Sequence, residues 1–187
     1  MSERALKLVE AKIPFVQARW YTPTTGRTIK LIVLHSAEIP EKGSSAENIA
    51  RYFATTDRKV SAHYCVDPDS IVQSVQTRDV AYAAPGANHN GVHLELAGYA
   101  RQTRAEWQDK ASHAILENAA ALCARVLLPK FEIPALYRGQ PADLKAGVPG
   151  ITTHARVSAA FKRSTHTDPG PGFPITAFLR LVREMTE

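Results

Sequence analysis

Three kinds of residue in this chain could carry hydrolytic chemistry: seven histidines, a carboxylate set inside an apolar strand, and an aspartate set in a stiff loop. His35 ends the apolar run TIKLIVLHSA and is followed by small Ser36 and Ala37. Taken alone, it fits a functional ligand or a satisfied histidine at the edge of a core. Glu95 lies in VHLELAG, where an ionised carboxylate buried without a partner costs several kcal/mol. Either its face is solvated, or it lines a polar cleft in which a raised pKa is useful. His93 shares that face. His154 follows Thr152 and Thr153 at the end of a short strand pattern, and a surface histidine is its plain alternative. Asp168 opens DPGPGFP, a run that fixes the backbone and exposes little apolar surface. Two imidazoles and one carboxylate suit zinc, and three protein ligands leave its fourth position for water. The distances along the chain are long and have no zinc-finger periodicity.

These residues need a scaffold. Residues 28–37 read as a buried strand ending in His35. SSAENIARYFATTD (44–57) reads as a helix opened by the capping box Ser44-x-x-Glu47, with Ile49, Tyr52 and Phe53 at helical spacing. VSAHYCVD (60–67), the turn PDS and IVQSVQ (71–76) read as a hairpin. In 92–98 Val92, Leu94 and Leu96 alternate with His93 and Glu95, so the two sets face opposite sides of a strand. Residues 105–128 form the longest helix candidate, and PALYRGQPADLKAGVPG (134–150) reads as a long loop. Pro174 suits the first turn of a final helix. Strands and helices intermix, which predicts one α/β domain with a central mixed sheet flanked by helices. Residues 1–27 are an extended or short helical lead-in, and 28–187 the functional domain.

A length of 187 residues, 44% hydrophobic and 22% charged, suffices for a core without disulfide staples. Cys65 and Cys123 sit among apolar neighbours and read as buried small hydrophobes. The N-terminus lacks an apolar signal region and no run reads as a membrane span, so the expectation is synthesis in a cytoplasm with no membrane insertion. The net charge of +5 and pI near 9.3 favour an acidic partner, either nucleic acid or anionic cell-wall polymer. No helix-turn-helix or zinc-finger spacing supports the first, which rests on charge alone.

Four stretches in order, LIVLHSAE (31–38), SAHYCVDPDSIVQSV (61–75), NHNGVHLELAG (88–98) and ITTHARVS…THTDPGPGFP (151–174), resemble the type 2 N-acetylmuramoyl-L-alanine amidases, relatives of the peptidoglycan recognition proteins. The wording is most similar to amidase domains of endolysins from phages of actinobacteria. The resemblance implies one zinc ion on His35, His154 and Asp168, with Glu95 as the base that takes a proton from water. It implies cleavage of the amide between N-acetylmuramic acid and L-alanine in peptidoglycan, by a monomer acting on the cell wall after release. A lysine usual two residues before the ligand aspartate is His166 here, which would donate to the oxyanion when protonated. His93 replaces a glycine of the usual strand, and a substrate-side histidine of the family is missing from YAAPG (82–86). His63 matches a histidine of relatives close to the cleft. The loop at Asn88, His89 and Asn90 would hold glycan or stem peptide, or be a plain turn. The alternatives are a cytosolic amidase recycling anhydro-muropeptides and a peptidoglycan-binding module without catalysis.

Overall fold

The computed structural model describes residues 3–186. Its centre is a five-stranded sheet built from β2 (Leu31–Ser36), β3 (Tyr64–Val66), β4 (Ile71–Gln73), β6 (Gly91–Leu96) and β7 (Gly150–Thr153), in the order β4-β3-β6-β2-β7. β3, β6, β2 and β7 run parallel, and only the β3–β4 hairpin is antiparallel. β1 (Tyr21–Thr22) and β5 (Val80–Ala81) form a separate two-stranded ribbon. The expected mixed sheet flanked by helices is therefore present.

Alternation along the parallel strands divides the core. Ile32, Leu34, Val92, Leu94, Leu96 and Ile151 join one large cluster on one face of the sheet. That face is covered by α1 (Glu3–Glu10), α3 (Lys110–Leu122) and α7 (Ile175–Thr186), which supply Ala5, Ile115, Leu122, Phe178 and Val182. Helix α3 starts on the Asp109 side chain, which accepts from the Ser112 amide, and runs through a π-helical turn at Cys123–Leu127 into α4 (Leu128–Phe131). Lys110–Phe131 is long and apolar enough to cross a membrane, but 67% of its most apolar stretch is buried inside the fold, as suits a core helix. Both cysteines are buried and free, and burial pushes the Cys123 thiol up to about 12.

The second face of the sheet is covered in two parts. On one side α2 (Ser45–Thr55) lays Ala46, Ile49, Ala50 and Phe53 against Cys65 and Val72. On the other, α5 (Pro141–Ala146) and α6 (His154–Phe161) bring Leu144, Val157 and Ala160 to Leu31 and Val33. Neither cluster includes His35, His93 or Glu95, although all three lie on this face. Two parts of the sequence reading need revision. Helix α5 lies inside the stretch expected to be all loop, with Pro141 in its first turn and Gly147 closing it at φ 65°. The lead-in is part of the fold, since α1 joins the main core and the Val16 and Ala18 amides donate to Gln73 and Ser74 carbonyls.

The start of α2 also differs from expectation. Ser44 has φ 69° and its side chain makes no cap, because its backbone is left-handed where a capping serine is extended. The cap comes instead from the hairpin turn. Buried Asp67 accepts from the Ala46 amide at 2.9 Å through one oxygen, and from the Asp69 and Ser70 amides at 2.9 and 2.7 Å through the other. One carboxylate therefore joins α2 to the β3–β4 turn. Asp67→Ala should lower the unfolding free energy by about 2–4 kcal/mol, because it strands buried amides. Ser44→Ala should change it by no more than about 0.5 kcal/mol, against about 1 kcal/mol for a working cap. Urea titration of both variants checks this, and a cap-sized loss at Ser44 would contradict the assignment.

Candidate functional site

Parallel pairing sets the site. His35 is directly opposite Glu95 in the β2–β6 register, and Leu34 is opposite Thr153 in β7. The C-terminal ends of three neighbouring strands therefore present His35, Glu95 and, one residue past β7, His154, the first residue of α6. The split cover on this face leaves a cleft of about 790 Å³ over them. The 165–168 loop closes its far side, anchored by the Ala155 amide donating to the Asp168 carbonyl at 2.9 Å. Beyond Asp168 the chain runs against the 100–104 segment, where a Cβ on Gly170 or Gly172 would collide with the Ala100 or Gln102 carbonyl. Gly170 also has φ 87°.

In this geometry the buried Asp168 carboxylate is shared between two buried rings, His35 and His154. Its Oδ2 is 3.2 Å from His35 Nδ1 and its Oδ1 is 3.1 Å from His154 Nδ1. One ligand atom from each of His35, His154 and Asp168 lies within 4.8 Å of the others. Tetrahedral zinc with bonds near 2.0–2.1 Å separates its ligand atoms by about 3.3 Å, so the donor types and spacing fit such an ion. The outer nitrogens are also engaged: His35 Nε2 is 3.1 Å from His93 Nδ1, and His154 Nε2 is 3.4 Å from Ser164 Oγ. Burial alone would push Asp168 up, but hydrogen bonds from His154 and His35 hold it well below the usual carboxylate range. Burial lowers His35, with Asp168 opposing.

Glu95 behaves oppositely. Its carboxylate is 16% exposed and 3.9 Å from His35 Nδ1. Burial, then the Asp168 and Glu38 charges, push it from 4.5 up to about 8. A carboxylate that holds a proton this strongly is suited to accept one from water and return it. His166 is 63% exposed on the rim, with Nδ1 3.2 Å from Asp168 Oδ1 and its ring stacked 4.3 Å from that of His154. The structure thus gathers five of the ten expected site residues: His35, Glu95, His154, His166 and Asp168.

The other five, His63, Asn88, His89, Asn90 and His93, do not line this cleft. Asn88, His89 and Asn90 precede the N-terminal end of β6, whereas the cleft lies over its C-terminal end. Asn88 instead accepts from the Ala83 and Ala84 amides at 3.1 and 2.7 Å, shaping the cleft wall from behind. His63 is fully buried: its Nδ1 accepts from the His93 amide at 3.0 Å, leaving the Nε2 proton for the Asp79 carbonyl at 3.1 Å. Burial, then nearby Arg27, lowers it to about 3, so it is neutral. His93 is also fully buried. Sequence reasoning missed the cleft wall of Asn48, Tyr52, Arg58 and Tyr82. Tyr52 was expected in the helix's apolar stripe and is 45% exposed. Its position next to Phe53, outside the inward Ile49–Phe53 spacing, was the available signal.

A profile of the family described as N-acetylmuramoyl-L-alanine amidase matches residues 25–171. The chain belongs to that amidase family. No curated protein matches it in sequence. Among solved structures the amidase is similar to Staphylococcus aureus hydrolase AmiA in complex with its ligand, at 16% identity over 100% of this chain and 91% of that one, with TM-score 0.65. It is similar to AmpD at 22% identity, covering 92% and 95% of the two chains, TM-score 0.61. The endolysin amidase LysCS from Clostridium intestinale URNW matches at 17% identity, 92% and 95% coverage, TM-score 0.59. At these identities the likeness concerns the fold.

The two shifted carboxylates affect stability with opposite signs. Between pH 4.5 and about 8 the folded amidase keeps the Glu95 proton that the unfolded chain has released, so Glu95 makes stability fall as pH rises through that window. The depressed Asp168 pKa adds stability above its ordinary 3.8, lost as pH falls below it. Metal-free Glu95→Gln should therefore be more stable than the parent at pH 8, on the order of 1–3 kcal/mol, and equal to it at pH 4. Urea unfolding in chelator at both values checks this, and an unchanged difference between the two would contradict it.

Proposed function

We propose that the chain is a zinc-dependent N-acetylmuramoyl-L-alanine amidase that hydrolyses the amide between N-acetylmuramic acid and L-alanine in peptidoglycan. The carrying observation is the buried His35–His154–Asp168 group with the Glu95 carboxylate beside it in one open cleft. Family membership supports the peptidoglycan amidase activity. The donor set supports zinc on His35 Nδ1, His154 Nδ1 and Asp168. When bound, that ion supplies Lewis acidity, acidifying water towards a pKa of about 7 and polarising a carbonyl. Glu95 takes the proton as water adds to the carbonyl carbon, then delivers it to the nitrogen as the C–N bond breaks. The amide becomes a lactyl carboxylic acid and the free amine of L-alanine. His166, when protonated, donates to the developing oxyanion from the rim. The three donors and Glu95 belong to one domain, so the reaction read here needs no group from a second copy.

The role assigned is that of an endolysin degrading intact wall. It is supported by the phage-like wording of the sequence, by similarity to an endolysin amidase, and by a net charge of +5 suited to anionic wall polymer. Purified walls should clear in a turbidity assay. Cleavage of soluble muropeptides without clearing would replace this role with recycling. For the site itself, Asp168→Ala should lose zinc and at least about 100-fold in activity together. Glu95→Gln should keep one zinc and lose about 10²–10⁴-fold in turnover. Full metal content and full activity in Asp168→Ala would overturn the ligand set, and parental turnover in Glu95→Gln would remove it as the base.

A further inference from the structure

We propose that His93 is a positioning residue that fixes the tautomer and orientation of His35, so that Nδ1 of His35 is presented to the metal. The inference rests on the zinc reading above. His35 Nδ1 faces Asp168, and its Nε2 is 3.1 Å from His93 Nδ1. A neutral imidazole that ligates through Nδ1 carries its proton on Nε2. That proton then meets His93 Nδ1, which must accept it. A hydrogen bond on the outer nitrogen of a ligating histidine sets ring orientation and raises ligand basicity.

The surroundings of His93 hold it in this role. It is fully buried, its amide donates to His63 Nδ1 at 3.0 Å, and its ring stacks 5.6 Å from that of His63 at 15°. His63 is tied in turn to the Asp79 carbonyl at 3.1 Å. Space for the ring depends on Gly91, where a Cβ would stand 3.1 Å from His93 Nε2 and 2.6 Å from the Ala87 carbonyl oxygen. His93 Nε2 is buried with no hydrogen-bond partner among the described residues. A buried imidazole with one nitrogen unpartnered is unfavourable as packing alone, and a leucine would fill the place without that cost. Its retained polar function is the contact to His35.

The test uses the whole chain and zinc itself, in competition against a chromophoric chelator, with the visible spectrum of the cobalt-substituted protein as a second readout. His93→Leu and His93→Met remove the acceptor at similar volume, while His93→Asn keeps an acceptor close to the position of Nδ1. The parent should bind one zinc, the Leu and Met variants about 10–100-fold more weakly with an altered cobalt spectrum, and the Asn variant within about threefold of the parent. Each apo variant is melted alongside to show that it folds. Parental affinity and spectrum in folded Leu or Met variants would overturn the proposal, as would an Asn variant that folds yet loses as much affinity as Leu. A parent that binds no zinc, or whose zinc affinity survives His35→Ala, would instead overturn the zinc reading on which the proposal depends.

Discussion

The shared carboxylate of Asp168 is the constraint on which the site depends. An acid this buried is stable only when its charge is met, and both its oxygens are met by imidazole nitrogens at 3.1–3.2 Å. One imidazole ends β2 and the other begins α6. The carboxylate therefore ties a sheet strand, a helix start and a loop distant in sequence into one rigid point. The loop geometry serves this end, since Gly170 and Gly172 let the chain lie against the Ala100 and Gln102 carbonyls while the Ala155 amide fixes the Asp168 carbonyl. Removing the charge or displacing the loop would disturb all three elements.

The architecture explains why a cleft exists above that point. One face of the sheet is sealed by α1, α3 and α7, and it carries the main hydrophobic core. The other is covered by two smaller clusters that leave the strand ends between them open. Parallel strands place their C-terminal ends together, so the side chains there converge without any long-range design. Glu95 is pushed up to about 8 by burial and by its acidic neighbours, whereas Asp168 is held down by histidines. Two carboxylates in one cleft thus differ in proton affinity because imidazole hydrogen bonds outweigh burial at Asp168, whereas at Glu95 burial dominates and acidic neighbours add to it, which is the division of labour that hydrolysis requires.

Much of this was legible because it rests on local rules. The alternation in VHLELAG put Glu95 on the face opposite Val92, Leu94 and Leu96, and the apolar run before His35 marked a buried strand. The stiffness of DPGPGFP pointed to Asp168. What could not be read depended on contacts between distant segments. The cap of α2 comes from Asp67, 21 residues beyond the amide it accepts from, while the local Ser44 pattern is overridden by a left-handed backbone. Asn88 resembles a ligand-binding turn residue, yet its oxygen is used by two amides of its own loop. His63 and His93 carry the chemistry of a site, but the sheet buries both. Polarity in a strand does not tell which of its residues reach the cleft and which support those that do.

The most direct measurement of the central claim is mass spectrometry of purified peptidoglycan digested by this chain, with and without a metal chelator. Free stem peptides beginning at L-alanine are expected, together with glycan chains that retain intact N-acetylmuramic acid, and both products should be lost in chelator and recovered on added zinc. Cleavage within the glycan or within the stem peptide, or unchanged product in chelator, would contradict it.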